Sequence, residues 1–396
     1  MLTISPKLIP PLRISATQVL WIKLRDSIDT QRASQITTTF SVPVQTAGLE
    51  AMAQYGYYGA AAVMNYETGD LIACITYPIF DPRQGSPDLS EYDGSANKND
   101  TVYTNLVLDS FFIPGSIQKI TTSAAAIDNI KSLSKKRFDC DGRWDSGVGI
   151  ISCGDSTVTS HGHNMTLSEA FAKSCNITFG SLAMEMGDAS LREIMLSLGW
   201  TKQLTLEGQR IQRSRIEWDA ERKEESETPK SGRDLGMMGI GQSTLQANPM
   251  HMLMISATIA NDGVMVQPYF IKEMVQEKRG EQKAFYSARK AKTERWLSTS
   301  VAKDVAALMK GVTQSGSGIN AALTNYTVCG KTGTALQGSG QPYNCWFTGF
   351  IKEKDAPYAV VVMVQSYSGG GGTVAGPIAK KLLEVTIQTC GLTPDF

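Results

Sequence analysis

The sequence predicts an α+β fold, a five-stranded antiparallel sheet flanked by helices with a helical lobe inserted. Apolar, β-rich runs lie near both ends of the chain, helix-like apolar spacing fills the middle, and the longest stretches with neither pattern are polar. Strands at both ends that enclose helices must meet in one sheet to bury their apolar faces.

Residues 58–66 (YGAAAVMNY) and 70–77 (DLIACITY) are the first two predicted strands. Glu67-Thr68-Gly69 joins them with turn chemistry and makes a hairpin. Residues 81–100, rich in Pro, Gly, Ser, Asp and Asn, read as a loop. Apolar spacing then predicts helices over 116–130, 166–186, 191–198, 249–261 and 299–312. The mixed-charge run 210–234 reads as a solvated surface loop. Residues 326–329, 345–352 and 358–365 complete the sheet, and 373–389 close the chain as a helix after the glycine joint at 369–372. No internal repeat is visible.

Composition narrows the function classes. A chain of 396 residues, 42% of them apolar, has material for a large two-lobed core. Lys+Arg and Asp+Glu are both 38, so the formal net charge is zero and nothing electrostatic argues for nucleic acid or an anionic membrane. The seven cysteines set no disulfide framework. Cys140 and Cys153 bracket a short segment, and a disulfide, a metal pair with His161 and His163, or two buried thiols all remain open. The first 35 residues contain neither a membrane-length apolar run nor the order of a signal peptide.

Ser-x-x-Lys occurs five times, beginning at Ser95, Ser116, Ser132, Ser287 and Ser300. Context separates them. Ser95 lies in the polar loop, Ser132 and Ser287 in Lys-rich polar stretches, and Ser300 reads as a helix cap. Ser116 follows the turn Pro114-Gly115 and precedes an apolar helix through Ile117, Ile120, Ala124 and Ile127. Free backbone N–H groups in a first helical turn favour developing negative charge, and a spacing of three puts Lys119 within reach of the hydroxyl. A serine hydroxyl is inert at neutral pH without such a base. The plain alternative for Ser116 is again a cap.

Ser174-Cys175-Asn176 lies inside the predicted helical region 166–186, where its plain reading is a polar break that bonds backbone. A hydroxyl there can also relay a proton, and an amide can hold a peptide bond. Lys331-Thr332-Gly333-Thr334-Ala335 sits between strand signals, unlike the rival Lys230-Ser231-Gly232 in the charged run. A cation followed by hydroxyls at alternate strand positions suits a carboxylate, and Gly333 lets a ligand approach the backbone closely.

Together, Ser116-x-x-Lys119, Ser174-x-Asn176 and Lys331-Thr-Gly resemble the active-site signature of the penicillin-binding proteins and serine β-lactamases. Phe112-Ile113-Pro114-Gly115-Ser116 looks like the transpeptidase form of the nucleophile motif. His161-Gly162, Gly239-Ile240-Gly241-Gln242 with Pro249, and Asn261-Asp262-Gly263 are similar to class B segments, as are Ala62 to Asn65 with Thr68-Gly69 and Pro78 to Pro82. The resemblance spans roughly residues 38–396. It implies a transpeptidase domain there, preceded by an N-terminal segment, 1–37, with no recognisable anchor.

The resemblance implies peptidoglycan D,D-transpeptidation. Ser116 attacks the carbonyl between two D-alanines of a stem peptide, D-alanine leaves, and a neighbouring amine takes the acyl group. By motif, Lys119 is the base, Ser174 passes the proton, Asn176 holds the donor peptide, and Thr332, Gly333 and Thr334 form the carboxylate end under the field of Lys331. The backbone N–H groups of Ser116 and Thr334 form the oxyanion hole. β-Lactams become acylating partners, nucleic acid is not a partner, and no cofactor is expected. D,D-carboxypeptidase, β-lactamase and non-catalytic wall-synthesis scaffold are the competing readings.

Two departures stand beside this. Family members usually carry an N-terminal anchor and act at the extracytoplasmic face of the membrane. For this chain an incomplete or misassigned start is the first explanation, and docking to a membrane-anchored wall-synthesis partner the second. Some members hold zinc between the first two motifs; Cys153, Asp155, His161 and His163 are of the right types but match no ligand set, so no metal is expected.

Overall fold

The computed structural model describes residues 3–4, 35–55, 58–79, 104–147, 149–154, 159–216, 218–219, 224–225, 232–242, 245–278, 281–336 and 340–390. Its labelled helices are α1 (Val42–Tyr55), α2 (Lys119–Asn129), α3 (Leu167–Ala172), α4 (Asn176–Ser197), α5 (Pro249–Ala260), α6 (Thr299–Ser315) and α7 (Ala375–Cys390). The central sheet contains β1 (Gly59–Asn65), β2 (Leu71–Tyr77), β3 (Val328–Leu336), β4 (Tyr343–Ile351) and β5 (Tyr358–Ser366).

The sheet runs β3-β4-β5-β1-β2 and is antiparallel throughout, so the two ends of the chain meet at the β5–β1 pair, with Val361 opposite Ala62. The β1–β2 turn closes as expected, because the Asn65 side-chain oxygen accepts the N–H groups of Glu67 and Thr68. Helices cover both faces. Ala61 and Val63 point to one core with Val44 and Met52 of α1 and Ile378 and Leu382 of α7. Ala60, Ala62 and Met64 point to the other, which continues through Leu253 and Ile255 of α5 into the helical lobe. A strand buried on both faces reads as an unbroken apolar run, and β5 is buried at every position.

Several expectations change. The helix read over 166–186 is two helices, α3 and α4, with Ser174 between them in a left-handed conformation (φ 59°). The helix read over 191–198 is the end of α4, which bends at Gly187 (φ 80°). The short strand read at 326–329 belongs to β3, which runs on through Lys331 to Leu336. The cap of α6 is Ser298, whose hydroxyl accepts the Val301 N–H, and Ser300 lies inside the helix.

A second sheet, Thr3–Ile4, Gln35–Thr38, Ile271–Lys278 and Glu281–Ser287, has no counterpart in the sequence reading, and its second strand straddles the boundary read at residue 38. Helix α1 was likewise not anticipated. The loop read at 81–100 and the rival Lys230-Ser231 lie outside the described residues. The charged run 210–234 is described only in part, and it contains the strand pair Trp218–Asp219 and Glu224–Glu225 and the start of the helix Gly232–Gly239. Among the described residues, no helix is long and apolar enough to cross a membrane.

Candidate active site

Ser116 lies in a single 3-10 turn, Gly115–Gln118, that leads into α2. Residues three apart eclipse in this geometry, and Lys119 Nζ lies 3.0 Å from Ser116 Oγ. The turn is fixed from two sides. Trp346 of β4 donates its indole N–H to the Ile113 carbonyl at 3.0 Å, and the Gly115 N–H donates to the Gly241 carbonyl at 2.9 Å. Gly241 (φ 79°) passes so close that a Cβ there would sit 1.8 Å from the Gly115 carbonyl oxygen. The Gly-Ile-Gly-Gln segment thus forms the floor of the nucleophile turn, and the Thr122 hydroxyl ties α2 to it through the Gly239 carbonyl at 2.7 Å.

The break between α3 and α4 brings in the second motif. A capping box, Thr166 with Glu169, starts α3. Cys175 caps α4 through its sulfur. The left-handed backbone at Ser174 turns its side chain toward α2, a conformation that a non-glycine residue holds only when its surroundings fix it. Lys119 Nζ donates to the Ser174 carbonyl at 2.7 Å and to Asn176 Oδ1 at 2.7 Å, and lies 3.2 Å from Ser174 Oγ. Asn176 Nδ2 donates to the Ser152 carbonyl at 2.8 Å. An amide nitrogen carries two hydrogens, so one remains for a ligand in the cleft that Asn176 lines.

Lys331 Nζ donates to Ser174 Oγ at 2.9 Å, which joins the third motif to the first two. Alternation along β3 sends Thr332 and Thr334 to the other side of the strand from Lys331. Thr332 shares a 2.6 Å hydrogen bond with Ser317, and the Thr334 hydroxyl accepts the Gly371 N–H at 3.0 Å. The glycines expected as a flexible joint therefore pack on β3. A Cβ at Gly371 would fall 2.4 Å from the Gly333 carbonyl oxygen. Ser116, Ser174, Asn176, Ser317, Thr332 and Thr334 line one cleft of about 430 Å³. Ser317 had no motif to mark it; only its position in space does.

Both lysines are fully buried. Burial lowers the Lys119 ammonium from 10.5 to about 8, because a charge out of water is disfavoured; neighbouring cysteines oppose this shift. Burial also takes Lys331 well below the usual lysine range, and the charge on Lys119 pushes it further. A buried base beside a second cation would be depressed by both effects. Desolvation is the dominant cause at Lys119, and the repulsion between the two ammonium groups falls on Lys331. Each Nζ also lies over an aromatic ring, Lys119 at 5.7 Å from Phe179 and Lys331 at 5.6 Å from Phe171.

Directly behind the second motif, Cys140, Cys153, His161 and Cys175 meet with their ligand atoms all within 4.8 Å of one another. Cys140 and Cys153 flank the hairpin Arg143–Asp145 and Ile150–Ser152, and their sulfurs are 3.7 Å apart with no disulfide. Cys153 and Cys175 sulfurs are 3.9 Å apart, and His161 Nδ1 is 3.4 Å from the Cys140 sulfur. The edges of a tetrahedral zinc site with three thiolates and one imidazole measure about 3.6–3.8 Å, so the donor set fits that ion. The sequence reading weighed Cys140 and Cys153 with His161 and His163 as one option and expected no metal; it did not include Cys175, which the helix break brings into the set. His163 points elsewhere, to Asp139 and Asp141 at 3.5 and 3.2 Å, and Asp155 lies outside the described residues.

The chain is similar to known proteins over most of its length. The penicillin binding protein transpeptidase domain matches residues 59–384. The peptidoglycan D,D-transpeptidase PbpA of Mycobacterium tuberculosis is 26% identical over 381 residues, covering 90% of this chain and 73% of the relative. Among solved structures, the D,D-transpeptidase domain of a peptidoglycan glycosyltransferase from Eggerthella lenta superposes with a TM-score of 0.75 at 28% identity, covering 90% of this chain and 84% of that one. The penicillin G acyl-enzyme complex of penicillin-binding protein A from M. tuberculosis superposes with a TM-score of 0.69 at 25% identity, covering 94% and 85%. This chain belongs to the penicillin-binding protein transpeptidase domain family.

Proposed function

We propose that the chain is a serine D,D-transpeptidase that cross-links peptidoglycan stem peptides through an acyl-enzyme on Ser116, and that β-lactams acylate the same oxygen. The observation that carries this reading is the single hydrogen-bonded cluster joining Ser116, Lys119, Ser174 and Lys331, residues from three distant parts of the chain. Similarity to the M. tuberculosis peptidoglycan D,D-transpeptidase PbpA and to the penicillin G acyl-enzyme of penicillin-binding protein A supports it.

Neutral Lys119 accepts the Ser116 proton as Oγ attacks the carbonyl carbon of the D-Ala-D-Ala bond. The oxyanion falls between the N–H groups of Ser116 and Thr334; the neighbouring Gly115 runs so close to β3 that a Cβ on it would lie 2.8 Å from the Thr334 carbonyl oxygen. Each such donor contributes roughly 3–4 kcal/mol in a comparable hydrolase. As the tetrahedral intermediate collapses, the departing D-alanine amine takes its proton through Ser174 Oγ, which bridges the two lysines. The acceptor amine then repeats the sequence in reverse order, giving its proton to Lys119 as it attacks the ester.

Thr332 and Thr334 bind the terminal carboxylate, and the anion returns charge to Lys331. Gly333 leaves the strand open to the ligand. The free Asn176 N–H holds the donor peptide. Cys140, Cys153, His161 and Cys175 would hold a zinc ion, which would supply structural support there and no Lewis-acid step. Because the wall lies outside the cytoplasm, the site of action is the outer face of the cell membrane, reached through an anchor or an anchored partner.

The test is to offer the protein a D-Ala-D-Ala donor with an amine acceptor and separate the products. Cross-linked product with D-alanine release is expected. Hydrolysed donor without cross-link assigns a D,D-carboxypeptidase, and rapid turnover of penicillin assigns a β-lactamase.

A further inference from the structure

The cleft carries one charge to which the acyl-transfer chemistry gives no role. Lys119 and Lys331 are buried beneath it. Among the described residues that line it, Lys173 is the one lysine, arginine, aspartate or glutamate. Lys173 is the C-cap of α3, directly before Ser174, and is exposed.

Its Nζ donates to the His161 carbonyl at 2.8 Å. An ammonium carries three hydrogens, so two remain for a ligand. Glu169, one turn earlier on α3, feels this charge, but its Oε2 is occupied by the N–H and hydroxyl of Thr166 in the capping box.

The bond to His161 fixes which wall of the cleft Lys173 serves. Beside His161, the Thr159 N–H donates to the Cys153 carbonyl at 2.9 Å, and the Cys153 sulfur accepts the Asn176 N–H at 3.2 Å. Lys173 and Asn176 thus share the wall built from Cys153, Thr159, His161 and the helix break. The terminal carboxylate of a donor goes to the hydroxyls of β3, where Thr332 is tied to Ser317 and Thr334 to Gly371. A cation beside Asn176 therefore meets the body of the donor, on the amino-terminal side of the scissile bond.

We propose that Lys173 binds a second carboxylate of the acyl donor, on the side chain of the residue that precedes D-Ala-D-Ala. Stem peptides in which this group is free are then preferred over those in which it is amidated. The inference rests on the acyl-transfer reading and adds a donor specificity to it. An ammonium on a flexible stem follows a carboxylate as a point charge, whereas a primary amide offers it no charge and turns hydrogens as well as oxygen toward it.

Two pairs of probes test this on the full chain, each pair differing by one carboxylate. Carbenicillin is penicillin G with a carboxylate on the carbon next to the side-chain amide. A synthetic donor ending in D-Ala-D-Ala is made with the preceding side-chain carboxylate free or amidated. Acylation rate is read for the penicillins and D-alanine release for the donors. The acid is expected to react roughly five- to tenfold faster in both pairs, the scale of one partly exposed charge-assisted contact. High salt should shrink that preference. Lys173→Met is expected to abolish it, Lys173→Glu to invert it and Lys173→Arg to keep it. A ratio taken within one protein cancels any loss of folded enzyme.

Equal wild-type rates within the penicillin pair, or a preference that Lys173→Met leaves intact, overturn the proposal. So does an equal slowing of both penicillins in Lys173→Met, which would assign the lysine to the terminal carboxylate. A preference in the penicillin pair with equal rates in the donor pair overturns the assignment to the stem peptide. Failure of both penicillins to acylate the wild type overturns the acyl-transfer reading itself, a result distinct from equal rates.

Discussion

Lys119 and Lys331 converge on one oxygen: their Nζ atoms lie 3.2 and 2.9 Å from Ser174 Oγ. Two buried ammonium groups this close cannot both hold their protons cheaply, so the pair is poised to have one of them neutral. The hydroxyl between them can accept from one and donate to the other, which gives Ser174 a defined task.

Replacement of Lys331 by alanine is expected to slow β-lactam acylation by about 100-fold or more, the scale of a lost proton-transfer partner, with Ser116 still in place. Stopped-flow rates beside a circular dichroism spectrum check this. An unchanged rate would refute the role given to Lys331.

Acylation should rise with pH. Burial brings Lys119 down from 10.5 to about 8, and the neutral amine is the active base. The rate therefore increases about tenfold per pH unit below 8 and levels above it. The same shift sets a stability slope. Between 8 and 10.5 the unfolded chain binds the proton that native Lys119 has released, so stability rises with pH through that window and the full penalty is present below it. Melting temperatures of wild type and Lys119→Met should diverge in slope there. Parallel curves would show that Lys119 titrates normally.

Ser317→Ala should impair substrate capture more than chemistry. Its hydroxyl holds Thr332, and losing a hydrogen bond that serves a charged ligand costs about 1.5–3 kcal/mol. A KM raised roughly tenfold with kcat within a factor of a few is expected. A fall in kcat at constant KM would place Ser317 in the chemical step instead.

The sheet was legible because its strands are buried on one or both faces and spelled in Val, Ala and Ile. β5 is the clearest case, apolar at nearly every position. The second sheet was not, because Glu281–Ser287 is mostly exposed and mixes Glu, Gln and Lys with Phe and Tyr, so no period survives. Helix α1 carries Pro, Gly and polar residues and buries only scattered positions such as Val44 and Met52. At the site, motif order in the sequence anticipated the meeting of Ser116, Lys119, Ser174 and Lys331. The left-handed turn at Ser174 was hidden, since the sequence on either side is helical and only tertiary contacts impose the break. Ser317 and the approach of Cys175 to Cys140, Cys153 and His161 depend on long-range folding, which spacing along one chain does not display.

The most direct measurement is intact-protein mass spectrometry after incubation with a β-lactam, with Ser116→Ala alongside. The account predicts one stable adduct per chain that maps to the peptide containing Ser116 and is absent from the variant. An adduct that persists in Ser116→Ala, or a correctly folded wild-type protein that never gains one, would contradict it.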